Sequence, residues 1–336
     1  MCIRDSSVTA IAKRTGTKRD KIKTGLTVAA SETGTRLIAE TGMTLDQAAT
    51  LIEFEDAPDV VATLTRIANE EPGYFPHAVQ RARDERATAQ AREAGEQVEA
   101  AKGHRILSEA PAWDARTPYR LGDLRTSEGE RVSVDEIQGK DGVAVYVLGQ
   151  RDGNHQVNYY VDEPEALGYT VVDDGMGRKA GPMTDEEKAE RKQLIANNKD
   201  WDAAESVRRE WLAQFLGRKT LPKDSAQVIA RSLTEARYLV AGELSGNALA
   251  ADLLGVEPVS GYYGDRFADF LTAHPTKAGH VTLAIVLGGI EASTGRTTWR
   301  SPRPETAHYL QTLAGWGYTL SPVEQIAATV ESTDTP

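Results

Sequence analysis

Cysteine occurs once in the 336 residues, at Cys2, which excludes a disulfide framework and a multi-cysteine zinc site and fits a reducing compartment. Aromatic residues are scarce at 6% while alanine is abundant, a balance that leans towards helix. Long apolar runs are missing too. The longest, Val281–Ile290, is about half of what a bilayer span needs, and no basic-then-apolar signal segment opens the chain. Paired metal ligands are lacking: His77, His104, His155, His274, His280 and His308 show no H-x3-H spacing. Neither a G-x-S-x-G nucleophile motif nor a Cys/His pair is evident. Gly175-x-Gly177 has no Lys-Ser/Thr after it and reads as linker, and Asp173-Asp174 reads as a solvated turn. These absences leave a cytoplasmic, acidic, mainly α protein, with no catalytic residues, no metal, no membrane segment and no cofactor expected in this chain.

Charge of one sign is unevenly short. The net charge is −11 over 336 residues, yet residues 1–31 hold Arg4, Lys13, Arg14, Lys18, Arg19, Lys21 and Lys23 against only Asp5 and Asp20. That start carries +5 and the other 305 residues −16. Such asymmetry suits a nucleic-acid element attached to an acidic body, although a solvated basic helix face would also produce it. The residues between the charges favour the first reading. Val8 to Arg14 follows a short helical pattern with Ile11 and Ala12 inward, and Gly16 makes a corner. Thr17 then reads as an N-cap, with Asp20 three residues later, and Ile22, Leu26 and Ala29 as one apolar stripe. The pattern Ala-x3-Gly-x5-Ile predicts a helix-turn-helix. In it Lys13, Arg14 and Lys23 reach phosphates, while Lys18, Arg19 and Lys21 read bases, with Thr17 and Thr24 beside them. Gly25 dissents: within a helix it costs about 1 kcal/mol against alanine, and marks either a close backbone approach or wear.

Further helices follow. Ser31 to Thr41 carries Leu37 and Ile38, and Thr44-Leu45-Asp46-Gln47 is a capping box ahead of Ala48, Ala49, Leu51 and Ile52. Asp56 reads as the cap of the next helix, with Pro58 just inside it and Val60, Val61, Leu64 and Ile67 along it. A last helix from Phe75 to about Lys102 has too few apolar residues for a coiled-coil seam and reads as a solvated connector.

This order of parts resembles the central DNA-binding region of the ParB family of plasmid and chromosome partition proteins. The resemblance rests on Ala10-Ile-Ala-Lys-Arg-Thr-Gly-Thr-Lys-Arg-Asp-Lys-Ile, on Met43-Thr-Leu-Asp-Gln-Ala-Ala-Thr-Leu-Ile-Glu-Phe-Glu-Asp and on His77-Ala-Val-Gln-Arg-Ala-Arg. It covers roughly residues 7–90 and, more loosely, the tail, which looks like actinobacterial, plasmid and phage members. It implies recognition of a palindromic, centromere-like site by a homodimer, a ParA-type ATPase as partner, and association with the nucleoid. Thr17, Lys18, Arg19, Lys21 and Lys23 would then lie at or near double-stranded DNA. Thr24 and Thr27 stand where the family often has Asn and Arg, which leaves the recognised sequence open. The family's upstream CTP-binding domain, with its Gly-Glu-Arg-Arg motif, has no counterpart here. Met1-Cys-Ile-Arg-Asp-Ser6 reads like a translated library adapter. The expectation is therefore a fragment whose intact parent binds CTP and whose own residues do not.

In the remaining two-thirds the period changes near Arg105. Val143–Leu148 and Gln156–Val161 read as strands around an Asp152-Gly153 turn, and Tyr169–Val172 as a third. Thr184-Asp-Glu-Glu187 opens a long helix bearing Trp201 and Trp211, read as core anchors in preference to a base-stacking platform. Helices are expected near 225–241, 246–254, 265–274, 276–292 and 305–314, the fourth buried. The predicted architecture is thus an N-terminal helix-turn-helix multi-helix domain (1–75), a helical connector (76–104), a small α+β module (105–175) and a C-terminal helical domain (176–336). The competing functional readings are a protein–protein adaptor on a helical scaffold that binds no DNA, and a helix-turn-helix transcriptional regulator.

Overall fold

The computed structural model describes residues 8–111, 117–172, 184–244, 246–257 and 266–329. The Asp173-Asp174 pair and the Gly175-x-Gly177 segment lie outside them. The chain is mainly helical, with few short strands, and divides into two compact units, Met1–Arg81 with Ile195–Pro336, and Ala82–Leu194.

The first helices are α1 (Val8–Thr15), α2 (Arg19–Ala30), α3 (Glu32–Thr41), α4 (Leu45–Ile52) and α5 (Pro58–Glu70). Gly16 makes the corner after α1 in the left-handed region, φ +68°, with its N–H donating to the Ala12 carbonyl at 2.9 Å. Ser31 caps α3 by accepting from the Gly34 N–H at 3.0 Å. The Thr44/Gln47 capping box forms in both directions, at 3.2 and 3.1 Å. Val28, Leu37, Met43, Ala48, Leu51 and Phe54 are buried around these helices. Gly34 is required at their crossing, since a Cβ there would lie 2.7 Å from Ile52 Cδ1 and 3.1 Å from the Val28 carbonyl oxygen.

Three local expectations need correction. Thr17 does not cap α2: Lys18 holds that position, extended at φ −58° and ψ 140°, with no side-chain cap. Asp56 does not cap α5, where Ala57 takes the position and Pro58 opens the helix as expected. The inner stripe of α2 is not Ile22, Leu26 and Ala29. Val28 is the buried residue, Ile22 and Gly25 are half-buried, and Leu26 is 40% exposed. A Cβ on Gly25 would meet nothing within 4 Å, so no close backbone approach explains that glycine.

Helix α6 (Phe75–Ala101) is not solvated along its length as expected, because Phe75, His77, Ala78, Val79, Ala91, Gly95 and Glu99 are all buried. Within the Ala82–Leu194 unit follow β1 (Arg105–Ile106), β2 (Tyr119–Arg120), β3 (Leu124–Arg125), α7 (Val134–Ile137), β4 (Val143–Gly149), β5 (His155–Val161) and β6 (Thr170–Val171). The main sheet has the order β1-β4-β5-β2, with β1 parallel to β4 and the other neighbours antiparallel. The expected hairpin is β4–β5, turning at Gly153 with φ +84°. The third strand does not join it: β6 pairs with β3 in a separate two-stranded sheet. The hairpin lies so close on α6 that a Cβ at Gly149 would come within 1.9 Å of the Thr88 carbonyl oxygen.

The C-terminal helices are α8 (Asp185–Leu216), α9 (Ser225–Glu235), α10 (Arg237–Glu243), α11 (Ala248–Leu254), α12 (Arg266–Ala273), α13 (Ala278–Ala292), α14 (Pro304–Gly315) and α15 (Pro322–Ala328). The Thr184/Glu187 box opens α8 as read from sequence. The single helix expected over 225–241 breaks at Ala236 into α9 and α10, and α15 was not anticipated. The apolar run is the buried helix α13, which runs through the core formed with Trp201, Leu212, Phe215, Tyr309 and Leu310. Its Gly288 and Gly289 admit α11 and α10: a Cβ would sit 3.2 Å from Ala250 N and 2.9 Å from Val240 Cα. Trp201 is fully buried and Trp211 stacks on Phe215 at 4.8 Å, so both serve the core.

Candidate nucleic-acid interface

Lys13 and Arg14 occupy the last turn of α1, Thr17 and Lys18 the link after Gly16, and Arg19, Lys21, Lys23 and Thr24 the first half of α2. All the basic side chains among them are exposed. None forms an ion pair within the described residues, and Asp20 is the only acid between Val8 and Ser31. Helical geometry sorts the residues of α2 further. Arg19, Lys23, Leu26 and Ala30, spaced i, i+4, i+7 and i+11, form one exposed stripe opposite buried Val28. Lys21, seven positions before Val28, lies on that residue's side of the helix, nearer the N-terminus, and is exposed there. Thr24 is half-buried and donates its hydroxyl to the Asp20 carbonyl at 3.0 Å, and Thr27 donates to Lys23 at 3.1 Å. Leu26 is the residue that sequence reasoning misplaced. Ile22, Leu26, Val28 and Ala29 support two helical phases, and only the tertiary packing chooses between them.

No family model, curated protein or solved structure matches this chain.

Polar side chains also cluster elsewhere in the chain. The most buried cluster is centred on Arg208, fully enclosed with Glu291 and Glu324. Arg208 Nε and Nη2 donate to the two oxygens of Glu291 at 2.6 and 2.9 Å, and Nη1 donates to Glu324 at 2.6 Å. Tyr309 donates to Glu291 at 2.9 Å, while Glu324 also accepts from Tyr318 at 3.0 Å and from the Ser321 N–H and hydroxyl, both at 2.8 Å. Burial alone would weaken the hold of Arg208 on its proton, but the Glu291 and Glu324 carboxylates outweigh it and keep the guanidinium charged well above the usual arginine range. Burial first, and then Glu291 and Glu324 respectively, push Tyr309 and Tyr318 well above the ordinary tyrosine value. With its acceptors filled and no exposed side, this cluster is structural.

In the other unit, buried Glu99 accepts from Lys102 and meets His104 Nδ1, both at 2.7 Å. Burial raises the Glu99 carboxyl, but the hydrogen bonds from Lys102 and His104 prevail and lower it overall. A cavity of about 220 Å³ lies among α9, α13 and α14, above Leu287, Ile290 and Tyr309. Its rim charges engage one another, Arg231 with Glu235 at 2.7 Å and with the His308 ring at 3.0 Å. Among the described residues no three His, Cys, Asp or Glu side chains could hold a metal ion, and no helix is long and apolar enough to cross a membrane.

Proposed function

We propose that α1 and α2 form a helix-turn-helix that binds double-stranded DNA, with α2 presented to the major groove. The observation that carries this reading is the set of six exposed, unpaired cations, Lys13, Arg14, Lys18, Arg19, Lys21 and Lys23, gathered around the Gly16 corner of an otherwise acidic chain. The faces of α2 revise the roles read from sequence: Lys18, beside the link, joins Lys13 and Arg14 in taking phosphates, Lys23 moves with Arg19 to the outward stripe that faces base edges, and Lys21, on the Val28 side, is no longer a base reader. Arg19 and Lys23 supply donors suited to guanine, and Leu26 an apolar surface suited to a thymine methyl. The resemblance to the ParB partition family extends the proposal to a homodimer on a palindromic, centromere-like site, to service with a ParA-type ATPase in segregation, and to a place on the nucleoid.

The test is fluorescence anisotropy of the full chain against a labelled mixed-sequence duplex. Four to six phosphate contacts per protomer give a log–log salt slope of about −4 to −5 between roughly 50 and 200 mM salt. K18E/R19E abolishes the binding. Salt-insensitive association, or unchanged affinity in K18E/R19E, overturns the reading in favour of an adaptor whose scaffold merely resembles a DNA-binding one.

A further inference from the structure

We propose that the loop 293–303, between α13 and α14, is a second DNA-phosphate contact, an arginine arm separate from the helix-turn-helix. It rests on the DNA-binding reading above and belongs to the same compact unit. Arg296, Arg300 and Arg303 fall within eight residues, and no acid intervenes between Glu291 and Glu305. The loop is built, not slack. The Gly295 N–H donates to Thr298 Oγ1 and the Thr298 N–H returns to the Gly295 carbonyl, each at 2.9 Å, while the Arg300 N–H donates to Thr297 at 3.1 Å. Trp299 pins the loop to α8 by donating its indole N–H to Asn198 Oδ1 at 3.1 Å. Arg296 pins it again through a fork on both oxygens of Asp202, at 2.6 to 3.0 Å.

The remaining two arginines are then held out with nothing to neutralise them. Arg300 and Arg303 are exposed and form no ion pair among the described residues. The Arg300 guanidinium lies 5.6 Å from the Trp299 ring centroid, an arrangement that orders it before any ligand arrives. Stability does not account for Arg303, which occupies the N-cap of α14, where the helix dipole disfavours a cation. The contrast is Arg218 and Lys219, just past the C-terminus of α8, where the same dipole favours them. An ordered pair of planar forks suits phosphate oxygens. Trp299 is half-buried beneath Arg300 and anchored to α8, so the contact it supports is to duplex backbone and not to an unstacked base.

The experiment compares the full-length wild type, R300A/R303A, R300K/R303K and K18E/R19E on one labelled mixed-sequence duplex across a salt series. Loss of two phosphate contacts lowers the magnitude of the salt slope by about 1.8 and weakens binding by about tenfold or more at 100 mM salt. R300K/R303K keeps most of the slope, and the melting temperature of R300A/R303A falls by no more than about 4 °C, because Arg300 gives up only its exposed contact with the Trp299 ring and Arg303 has no ion pair to lose among the described residues. If R300A/R303A binds with wild-type affinity and slope while K18E/R19E does not bind, the arm is refuted and the helix-turn-helix reading stands. If the wild type itself does not bind, both fall.

Discussion

Replacing Arg208 by Met removes the one buried cation that, among the described residues, faces two buried carboxylates. Arg209, the nearest other cation, reaches Glu291 at 3.4 Å from a partly exposed position and does not reach Glu324. Glu291 and Glu324 would then face each other's field in a site that excludes water. Breaking a buried pair from one side costs about 3–5 kcal/mol, because an uncompensated charge remains. A unit of this size loses roughly 2–4 °C of melting temperature per kcal/mol, so R208M should melt about 6–20 °C below wild type at pH 7. The triple variant R208M/E291Q/E324Q removes more polar chemistry yet should recover part of the loss, since each Gln keeps an acceptor for Tyr309 or Tyr318 and carries no charge. The sign of the pH response adds a second check. In R208M the orphaned carboxyls hold protons more tightly folded than unfolded. Stability therefore rises as pH falls from 7 towards 5, through the range where the folded state binds the extra protons. Circular-dichroism melts of wild type, single and triple variants at pH 5 and 7 decide the matter. An R208M melting point within about 3 °C of wild type, or a triple variant less stable than the single, refutes the argument.

The tyrosines of the same cluster predict alkaline behaviour. Tyr309 and Tyr318 titrate well above their unfolded value, so their contribution is complete below about pH 10 and is lost as pH rises further, at up to about 2.7 kcal/mol per pH unit for the two. Urea unfolding between pH 9 and 11 should show that fall, and Y309F/Y318F should flatten it. Gly149→Ala sets a Cβ against the Thr88 carbonyl oxygen and the Arg92 amide nitrogen, and should destabilise the strand-bearing unit by about 3 kcal/mol or more. Gly122→Ala, where a Cβ meets nothing within 4 Å, is the matched control and should stay within about 0.5 kcal/mol of wild type in chemical unfolding. Leu26→Ala should leave the melting temperature nearly unchanged yet weaken binding to thymine-containing sites, a loss that uracil substitution in the DNA should reproduce.

Local signals were legible where one residue has one job. Gly16, Thr44, Thr184 and the Asp152-Gly153 turn each act through a backbone group within a few positions, so spacing alone located the corner, two helix starts and the hairpin. The phase of α2 was not legible, because its apolar residues fit two stripes and Gly34, Ile52 and Val28 settle the choice through packing. Thr17 and Asp56 carry capping side chains one residue before the positions where the helices are capped, and nothing local separates those registers. The Arg208 cluster lay furthest from view. Its members stand 83 and 116 positions apart, and Glu324 looks like an ordinary capping-box glutamate until Ser321 and Tyr318 are seen to enclose it.

How this chain uses its cations bears on the proposed interface more than their number does. Elsewhere it places acids four residues from arginines without difficulty: Arg66 pairs with Glu70, Arg92 with Glu96 and Arg231 with Glu235, each at 2.6 to 2.7 Å. Such pairs are what a helix needing only solubility acquires. In α2 the positions four beyond Lys18, Arg19 and Lys21 are Ile22, Lys23 and Gly25. The Arg19–Lys23 spacing sets like charges side by side, a local cost for the helix. Gly25 adds the cost of a glycine in a helix interior. A segment kept for its fold alone has no use for either penalty. Both are consistent with a surface whose counter-charge comes from outside the chain, which is the role the proposed duplex phosphate backbone would fill.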